Sequence, residues 1–229
     1  MAILLLTRPA AASARTAADV ARLCPGVRIV LSPVMEIVPL PVALDAVPAG
    51  LILTSENGAE VAGGLGLPWG MRAWCVGGRT AEVARAAGFD AVSAEGDAEA
   101  LLALILSRGE EGPLLHLRGE HARGDIAPRL RAAGRAAREA VVYRQEERRL
   151  NTEALAVLGG GERVVLPLYS PRSAAIIVEQ GPFAAPLSII AISRAAGRAA
   201  EGLGAKDISL IDKPDGQYML SAIVDSLSG

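Results

Sequence analysis

Small hydroxyl side chains, glycines and arginines follow the short apolar runs of this chain. Thr54 and Ser55 come directly after one such run, and Ser170 comes shortly after another. If the runs are strands that lead into helices, free backbone N–H groups at the helix starts attract anions, and the hydroxyls add donors. Arginine suits carboxylates and phosphates. The candidate anion-binding segments are residues 7–9, 54–58, 77–80, 118–120, 170–172 and 193–194.

Each of these hydroxyls also has a purely structural interpretation. Ser55, Thr80 and Ser170 could equally cap the helices that they precede, because a side-chain oxygen there accepts an unpaired backbone N–H. As a set, however, the segments follow strands, and ligands of parallel α/β folds bind outside the carboxyl ends of the strands. The set therefore favours binding, and each single residue leaves both interpretations open.

Several kinds of chemistry are disfavoured. The two histidines, His116 and His121, form no metal-ligand pattern, and His116 falls in an apolar run where a packed core residue is expected. Cys75 lies in another run and is expected to be a buried, unreactive thiol. The chain has no P-loop, dinucleotide-binding glycine pattern or nucleophile elbow. The sequence therefore indicates no metal site, no nucleotide-binding site and no obvious nucleophile.

Composition limits the class of protein. The 229 residues are 51% hydrophobic and 21% charged, which is typical of a globular chain. A net charge of -2 and 3% aromatic residues argue against a nucleic-acid partner. The short apolar start followed by Arg8 is the wrong order for a secretory signal, and no run approaches the length of a membrane span. We expect a soluble cytoplasmic protein with no membrane partner.

Strand-like and helix-like segments alternate along the chain, which predicts an α/β fold with parallel sheets covered by helices. The predicted strands are short apolar runs, expected to be buried on both faces, at 3–6, 27–31, 51–53, 72–76, 114–117, 141–143, 164–168, 188–192 and 208–211. The predicted helices have apolar or small residues at helical spacing, at 13–23, 80–87, 98–107, 125–133, 194–203 and 217–227.

The order of motifs in one part of the chain is repeated in another. Residues 53–59 resemble residues 168–174, and residues 75–81 resemble residues 191–197, each with an offset of about 115 residues. Residues 5–8 also resemble residues 115–118, with an offset of 110 residues. Two similar α/β domains explain this order. The extended segments 32–41 and 138–147 interrupt the alternation and are interpreted as linkers between the domains.

Six ordered segments resemble the uroporphyrinogen-III synthase family across essentially the whole chain. They are LLLTRP (4–9), ILTSENGAE (52–60), CVGGRTAEVARAAGF (75–89), LLHLRGEHARGDIAPRLRAAG (114–134), EAVVYRQ (139–145) and LPLYSPRSA (166–174). The resemblance implies two α/β domains joined by a two-stranded linker that the chain crosses twice. The first domain would comprise residues 1–33 and 149–229, the second residues 49–136, and the linkers residues 34–48 and 137–148.

The resemblance also implies an activity. The family converts hydroxymethylbilane, a linear tetrapyrrole, to uroporphyrinogen III, with inversion of the terminal ring D and loss of water. It needs no metal and no organic cofactor. Hydroxymethylbilane is then the small-molecule partner. We expect a monomer that makes at most transient contacts with neighbouring enzymes of tetrapyrrole biosynthesis.

Site residues carry over by position. Tyr143 matches the family's tyrosine in the linker strand and would assist departure of the substrate hydroxyl; the alternative is a strand aromatic with a satisfied hydroxyl. Thr80 would bind a substrate carboxylate, and Arg118 could bind substrate or brace the site. The implied substrate-binding set has strand-end positions in common: Arg8, Thr54, Ser55, Gly77, Thr80, Arg118, Ser170, Ser193 and Arg194.

The chain departs from the family pattern in its second half. The family pattern IGxTT reads ISRAA at residues 192–196, so its two threonines are absent and Ser193 or Arg194 would have to substitute for them. Gln145 replaces a threonine two residues after Tyr143. These differences keep a second hypothesis open, a non-catalytic two-lobed protein that binds a tetrapyrrole or another anionic small molecule. Activity on hydroxymethylbilane separates the two hypotheses.

Overall fold

The computed structural model describes residues 2–109, 112–121 and 124–228. The chain divides into two compact units. Unit 1 combines Met1–Glu36 with Glu146–Gly229, and unit 2 is Ile37–Gln145. Residues 122 and 123, in the fourth of the six sequence segments, lie outside the described residues.

Strands and helices alternate over most of the chain. In order they are β1 (Ile3–Leu6), α1 (Ala10–Leu23), β2 (Arg28–Leu31), β3 (Met35–Pro39), β4 (Gly50–Leu53), α2 (Glu56–Gly63), β5 (Arg72–Cys75), α3 (Gly78–Ala86), β6 (Asp90–Ser93), α4 (Ala98–Arg108), β7 (Leu114–Gly119), α5 (Ile126–Ala132), β8 (Ala137–Glu147), α6 (Thr152–Leu158), β9 (Val164–Leu168), α7 (Pro171–Val178), β10 (Leu187–Ala191), α8 (Arg194–Ala199), β11 (Asp207–Leu210) and α9 (Gly216–Ser228). A short 3₁₀ turn, Glu201–Leu203, follows α8.

Unit 1 is built on a parallel sheet with strand order β11-β10-β9-β1-β2. Alternate residues of a strand point to opposite faces of the sheet. In the central strands of this sheet both sets of residues are apolar. In β1, Ile3 and Leu5 pack in one buried cluster, and Leu4 and Leu6 pack in another. Helices therefore cover both sides of this sheet.

Unit 2 contains the strand order β3-β8-β7-β4-β5-β6. Strands β4 to β8 pair in parallel. Leu51 and Leu53 of β4 belong to one core cluster and Ile52 to a second, so this sheet too is buried on both faces. Asp97 caps α4 by accepting the N–H groups of Glu99 and Ala100.

The two sheets confirm the repeat seen in the sequence. The order β11-β10-β9-β1-β2 in unit 1 matches β6-β5-β4-β7-β8 in unit 2. The strands that precede Ser55 and Ser170 therefore occupy the same place in their sheets. Arg8 and Arg118, from the second pair of resembling segments, also occupy equivalent strand ends.

The structure confirms the α/β class with parallel sheets and corrects three details. Strands β2 and β11 are partly exposed rather than buried on both faces, because each lies at the edge of its sheet. Helices α2, α6 and α7 were absent from the predicted set. The predicted helix 194–203 ends as α8 at Ala199 and continues only as the 3₁₀ turn.

Candidate active site

Tyr143 and Ser55 meet at the carboxyl end of the sheet of unit 2. Tyr143 lies on β8 with 7% of its surface exposed, and its Oη is 3.0 Å from Ser55 Oγ. Ser55 is the N-cap of α2, and its Oγ accepts the backbone N–H of Gly58 at 3.0 Å. The Ser55 oxygen therefore holds the helix start and the tyrosine hydroxyl together.

Gly119 makes room for the Tyr143 ring. A Cβ on Gly119 would lie 2.6 Å from two ring atoms of Tyr143, whereas a Cβ on Gly58 would lie 4.0 Å from a third, which is an ordinary contact distance. Gly119 ends β7, where the register with β8 shifts and places Gly119 opposite Tyr143. The ring thus lies directly against the backbone of β7, and the position of its hydroxyl depends on that close approach.

Thr54 is adjacent to Ser55 and has a different partner. Its Oγ1 lies 3.1 Å from Nε2 of His116, which is on the neighbouring strand β7. His116 is completely buried, which confirms the expected packed core position. Burial lowers the pKa of His116 to about 4, so its imidazole is neutral near pH 7.

Arg118 is held by the protein itself. Its guanidinium donates to Glu139 Oε1 of β8 at 2.8 Å and to the Gly119 carbonyl oxygen at 3.1 Å. The hydrogen bond from Arg118 lowers the pKa of Glu139. This geometry favours the bracing role of Arg118 over direct binding of a ligand.

The start of α3 differs from the expectation for Thr80. Gly77 occupies the N-cap position and has no side chain to offer, so Thr80 does not cap the helix. Thr80 lies in the first turn and is only 5% exposed. The Glu95 carboxylate approaches this loop, because a Cβ on Gly78 would lie 3.3 Å from its Oε1. An anion bound here would meet that negative charge.

The candidate residues of unit 1 follow neighbouring strands β1, β9 and β10. The Arg8 guanidinium lies over the Tyr169 ring, 4.1 Å from its centroid, in a cation–π contact. Ser170 caps α7 by accepting the N–H of Ser173, as Ser55 does in α2. Capping was the structural alternative for both serines, and the structure places both of them in that role.

Ser193 and Arg194 follow β10. Ser193 caps α8 by accepting the Ala196 N–H at 3.3 Å. Arg194 is the first residue of that helix and is exposed. The structure therefore leaves the Arg194 guanidinium accessible to solvent, whereas the Ser193 oxygen already accepts a hydrogen bond.

Other groups are inert or lack the pattern of a site. Cys75 is buried, and burial raises the pKa of its thiol to about 12, which confirms the expected unreactive cysteine. Over the described ranges, His, Cys, Asp and Glu side chains form no group of three or more that could hold a metal ion. None of the helices described has both the length and the apolar composition needed to cross a membrane.

The family model described as uroporphyrinogen-III synthase HemD matches residues 21–221. The chain belongs to the uroporphyrinogen-III synthase family. The search of curated proteins gave no match. Among solved structures, the uroporphyrinogen-III synthetase of Helicobacter pylori 26695 has 17% identity and a TM-score of 0.65, covering 100% of this chain and 99% of that one. A mutant uroporphyrinogen III synthase of Thermus thermophilus has 17% identity and a TM-score of 0.47, covering 99% of each chain.

The side chains that contact the candidate residues were not predicted from the sequence. His116 beside Thr54, Glu139 beside Arg118 and Tyr169 beneath Arg8 were not expected. Gly119 against Tyr143 and Glu95 near α3 were also missed. The parallel register of β4 with β7 could have suggested only the first contact, since Thr54 is two residues after Ile52, which pairs with His116.

Proposed function

We propose that this chain cyclises hydroxymethylbilane to uroporphyrinogen III, inverting ring D and releasing water. The observation that carries this proposal is the family match over residues 21–221. Family membership makes the chain a cyclising lyase of tetrapyrrole synthesis. The order of strands and the placement of the candidate residues at strand ends support the same function.

The reaction needs little chemistry from the protein. Loss of the substrate's hydroxyl gives an azafulvene cation. The substituted carbon of ring D attacks that cation and forms a spiro intermediate, which fragments and recloses with ring D inverted. Direct closure instead gives the type I isomer. The protein must therefore assist departure of the hydroxyl and position ring D, which is catalysis by orientation and electrostatics.

We assign Tyr143 the role of assisting the departing hydroxyl. A hydroxyl leaves more easily when a donor is hydrogen-bonded to it, and the phenol O–H is such a donor. Ser55 Oγ accepts from Gly58, so its own proton is available to Tyr143 Oη, and the Tyr143 proton is then free for the substrate. The buried ring against Gly119 supports this assignment, since it fixes the hydroxyl in place.

We assign the remaining strand-end donors to the carboxylates of the substrate. Hydroxyl and guanidinium donors match ionised carboxylates, which only accept hydrogen bonds. The support differs among residues. Arg194 is exposed, Arg8 is stacked on Tyr169, and Arg118 is engaged by Glu139. The proposed carboxylate-binding set is Arg8, Thr54, Gly77, Thr80, Ser170, Ser193 and Arg194. Ser55 acts through Tyr143, and Arg118 braces the site through Glu139.

A coupled assay tests the function. Hydroxymethylbilane is generated in place, the protein is added, the products are oxidised, and type I and type III uroporphyrin are separated by chromatography. We expect mainly type III with the native protein and only type I with heat-denatured protein. Only type I from a demonstrably folded protein would contradict the proposal.

We also propose that the enzyme is a cytoplasmic monomer. Both cysteines, Cys24 and Cys75, are free thiols, which agrees with a reducing compartment. Light scattering after size exclusion should give a mass near 23.6 kDa. A mass about twice as large would indicate a symmetric dimer, the commonest oligomer of soluble proteins.

A further inference from the structure

His116 is a buried polar residue that the mechanism above does not use. Its ring has a single hydrogen-bonding contact among the described residues, from Nε2 to Thr54 Oγ1 at 3.1 Å. The other nitrogen, Nδ1, is buried and has no partner in the described part of the chain. The one hydrogen-bonding contact described for this buried imidazole is therefore with Thr54, a residue of the proposed binding set.

The partners of the His116 ring favour a proton on Nε2. A neutral imidazole has one N–H donor and one acceptor nitrogen. A proton on Nδ1 would leave a buried N–H without an acceptor, which costs more than about 1 kcal/mol by typical desolvation penalties. A proton on Nε2 is donated to Thr54 Oγ1 instead. Burial keeps the ring neutral, and the protonated ring would also donate from Nε2.

The protonation of His116 fixes the role of Thr54. When Thr54 Oγ1 accepts from His116, its own O–H remains available as a donor. Thr54 is half-buried at the end of β4, beside Ser55. A hydroxyl that must donate matches a ligand atom that can only accept, such as a carboxylate oxygen.

We propose that His116 is a positioning residue that holds the Thr54 hydroxyl as a hydrogen-bond donor toward a substrate carboxylate. This inference rests on the proposed function. His116 acts through Thr54 and touches no substrate atom itself. Two charged groups near the ring, Glu139 and Arg118, form an ion pair with each other, so the imidazole does not have to serve as a counter-ion.

The tautomer of His116 can be measured without activity. Long-range ¹H–¹⁵N NMR spectra distinguish protonated from bare ring nitrogens. With only His116 and His121 in the chain, His116→Gln assigns the signals. We expect His116 to be neutral at pH 7 with its proton on Nε2. A proton on Nδ1 would overturn the proposal.

A double-mutant cycle tests the coupling. Thr54→Val removes the hydroxyl, and His116→Leu removes the donor to it. We expect each single variant to raise KM for hydroxymethylbilane about tenfold with little change in kcat, the size of one hydrogen bond to a charged group. The double variant should be no worse than Thr54→Val alone. His116→Gln, which keeps an N–H donor, should recover most of the lost affinity.

The outcomes separate this proposal from the function on which it rests. Additive KM effects in the double variant, or His116→Gln behaving like His116→Leu, would overturn the role of His116. Circular dichroism and thermal unfolding establish that each variant is folded. If the wild-type protein forms no type III isomer, the proposed function fails, and with it the substrate role of Thr54. The tautomer measurement still decides whether His116 donates to Thr54.

Discussion

Tyr143 Oη lies 3.0 Å from Ser55 Oγ, although 88 residues separate them in sequence. The contact joins the middle of β8 to the N-cap residue of α2. Ser55 Oγ also accepts the Gly58 N–H, so one oxygen contacts both the start of α2 and the tyrosine hydroxyl. The tyrosine hydroxyl is therefore oriented by a helix cap rather than by a second ionisable group.

Tyr143→Phe should lower the rate of type III formation by about 100-fold, the smaller end of the range for general acid assistance. The fold should remain, because one partly buried hydrogen bond contributes about 1 kcal/mol. Steady-state kinetics and chromatography of the isomers measure the effect. Tyr218→Phe is the matched control, since Tyr218 is 41% exposed and lies in unit 1. Unchanged kinetics in Tyr143→Phe would remove this residue from the mechanism.

Gly119→Ala should damage both stability and activity. The added methyl would lie 2.6 Å from the Tyr143 ring, so the ring must move away from Ser55. We expect a loss of about 1–3 kcal/mol in the free energy of unfolding, typical of overpacking, together with slower type III formation. Urea unfolding and the isomer assay measure the two effects.

Gly77→Ala is the comparison for Gly119→Ala. A Cβ on Gly77 would have no atom within 4 Å, and its φ of -145° suits any residue. We expect unchanged stability and a raised KM, because the methyl would narrow the space for a carboxylate near α3. Wild-type KM in a folded Gly77→Ala protein would argue against Gly77 as a binding residue.

The strand-end positions of the candidate residues were predictable from the sequence, because short apolar runs indicate buried strands and the candidates directly follow them. The side chains that contact these candidates were not predictable. Tyr143 lies opposite Gly119 because the β7–β8 register shifts there, and a local irregularity of this kind leaves no periodic signal in the sequence. His116 was correctly placed in the core, but its contact with Thr54 requires knowing that β7 pairs with β4.

Arg194→Ala should raise KM for hydroxymethylbilane about threefold, since an exposed charge interaction contributes less than about 1 kcal/mol. The effect should shrink with added salt because ions screen exposed charges. Arg198→Ala is a matched control on the same helix, also exposed and one turn later. Equal effects from both variants would indicate general attraction of the anionic substrate rather than a specific role of Arg194.

His116 should make the protein less stable in mild acid. Its pKa falls from 6.5 when unfolded to about 4 in the folded state. The unfolded chain therefore binds the proton first as the pH drops. Protonation of His116 leaves the free energy of unfolding unchanged above pH 6.5 and lowers it between pH 6.5 and 4. The total loss from this residue is about 3 kcal/mol.

His116→Gln provides the comparison, because glutamine does not titrate. Chemical unfolding of both proteins at several pH values should show a steeper loss for the wild type across that window. Carboxylates that do not interact with His116 contribute equally to both curves and cancel in the difference. Glu139 interacts with His116, so the difference between the curves includes that coupling. Parallel curves would show that His116 titrates normally in the folded protein.

The central claim is that this protein steers ring D and does not merely bind a tetrapyrrole. The most direct measurement follows hydroxymethylbilane consumption and isomer composition together as protein concentration increases. An enzyme should speed consumption and drive the product toward type III at catalytic concentrations. A protein that only binds the substrate would slow consumption at stoichiometric concentrations and leave type I as the product, and that result would contradict the account.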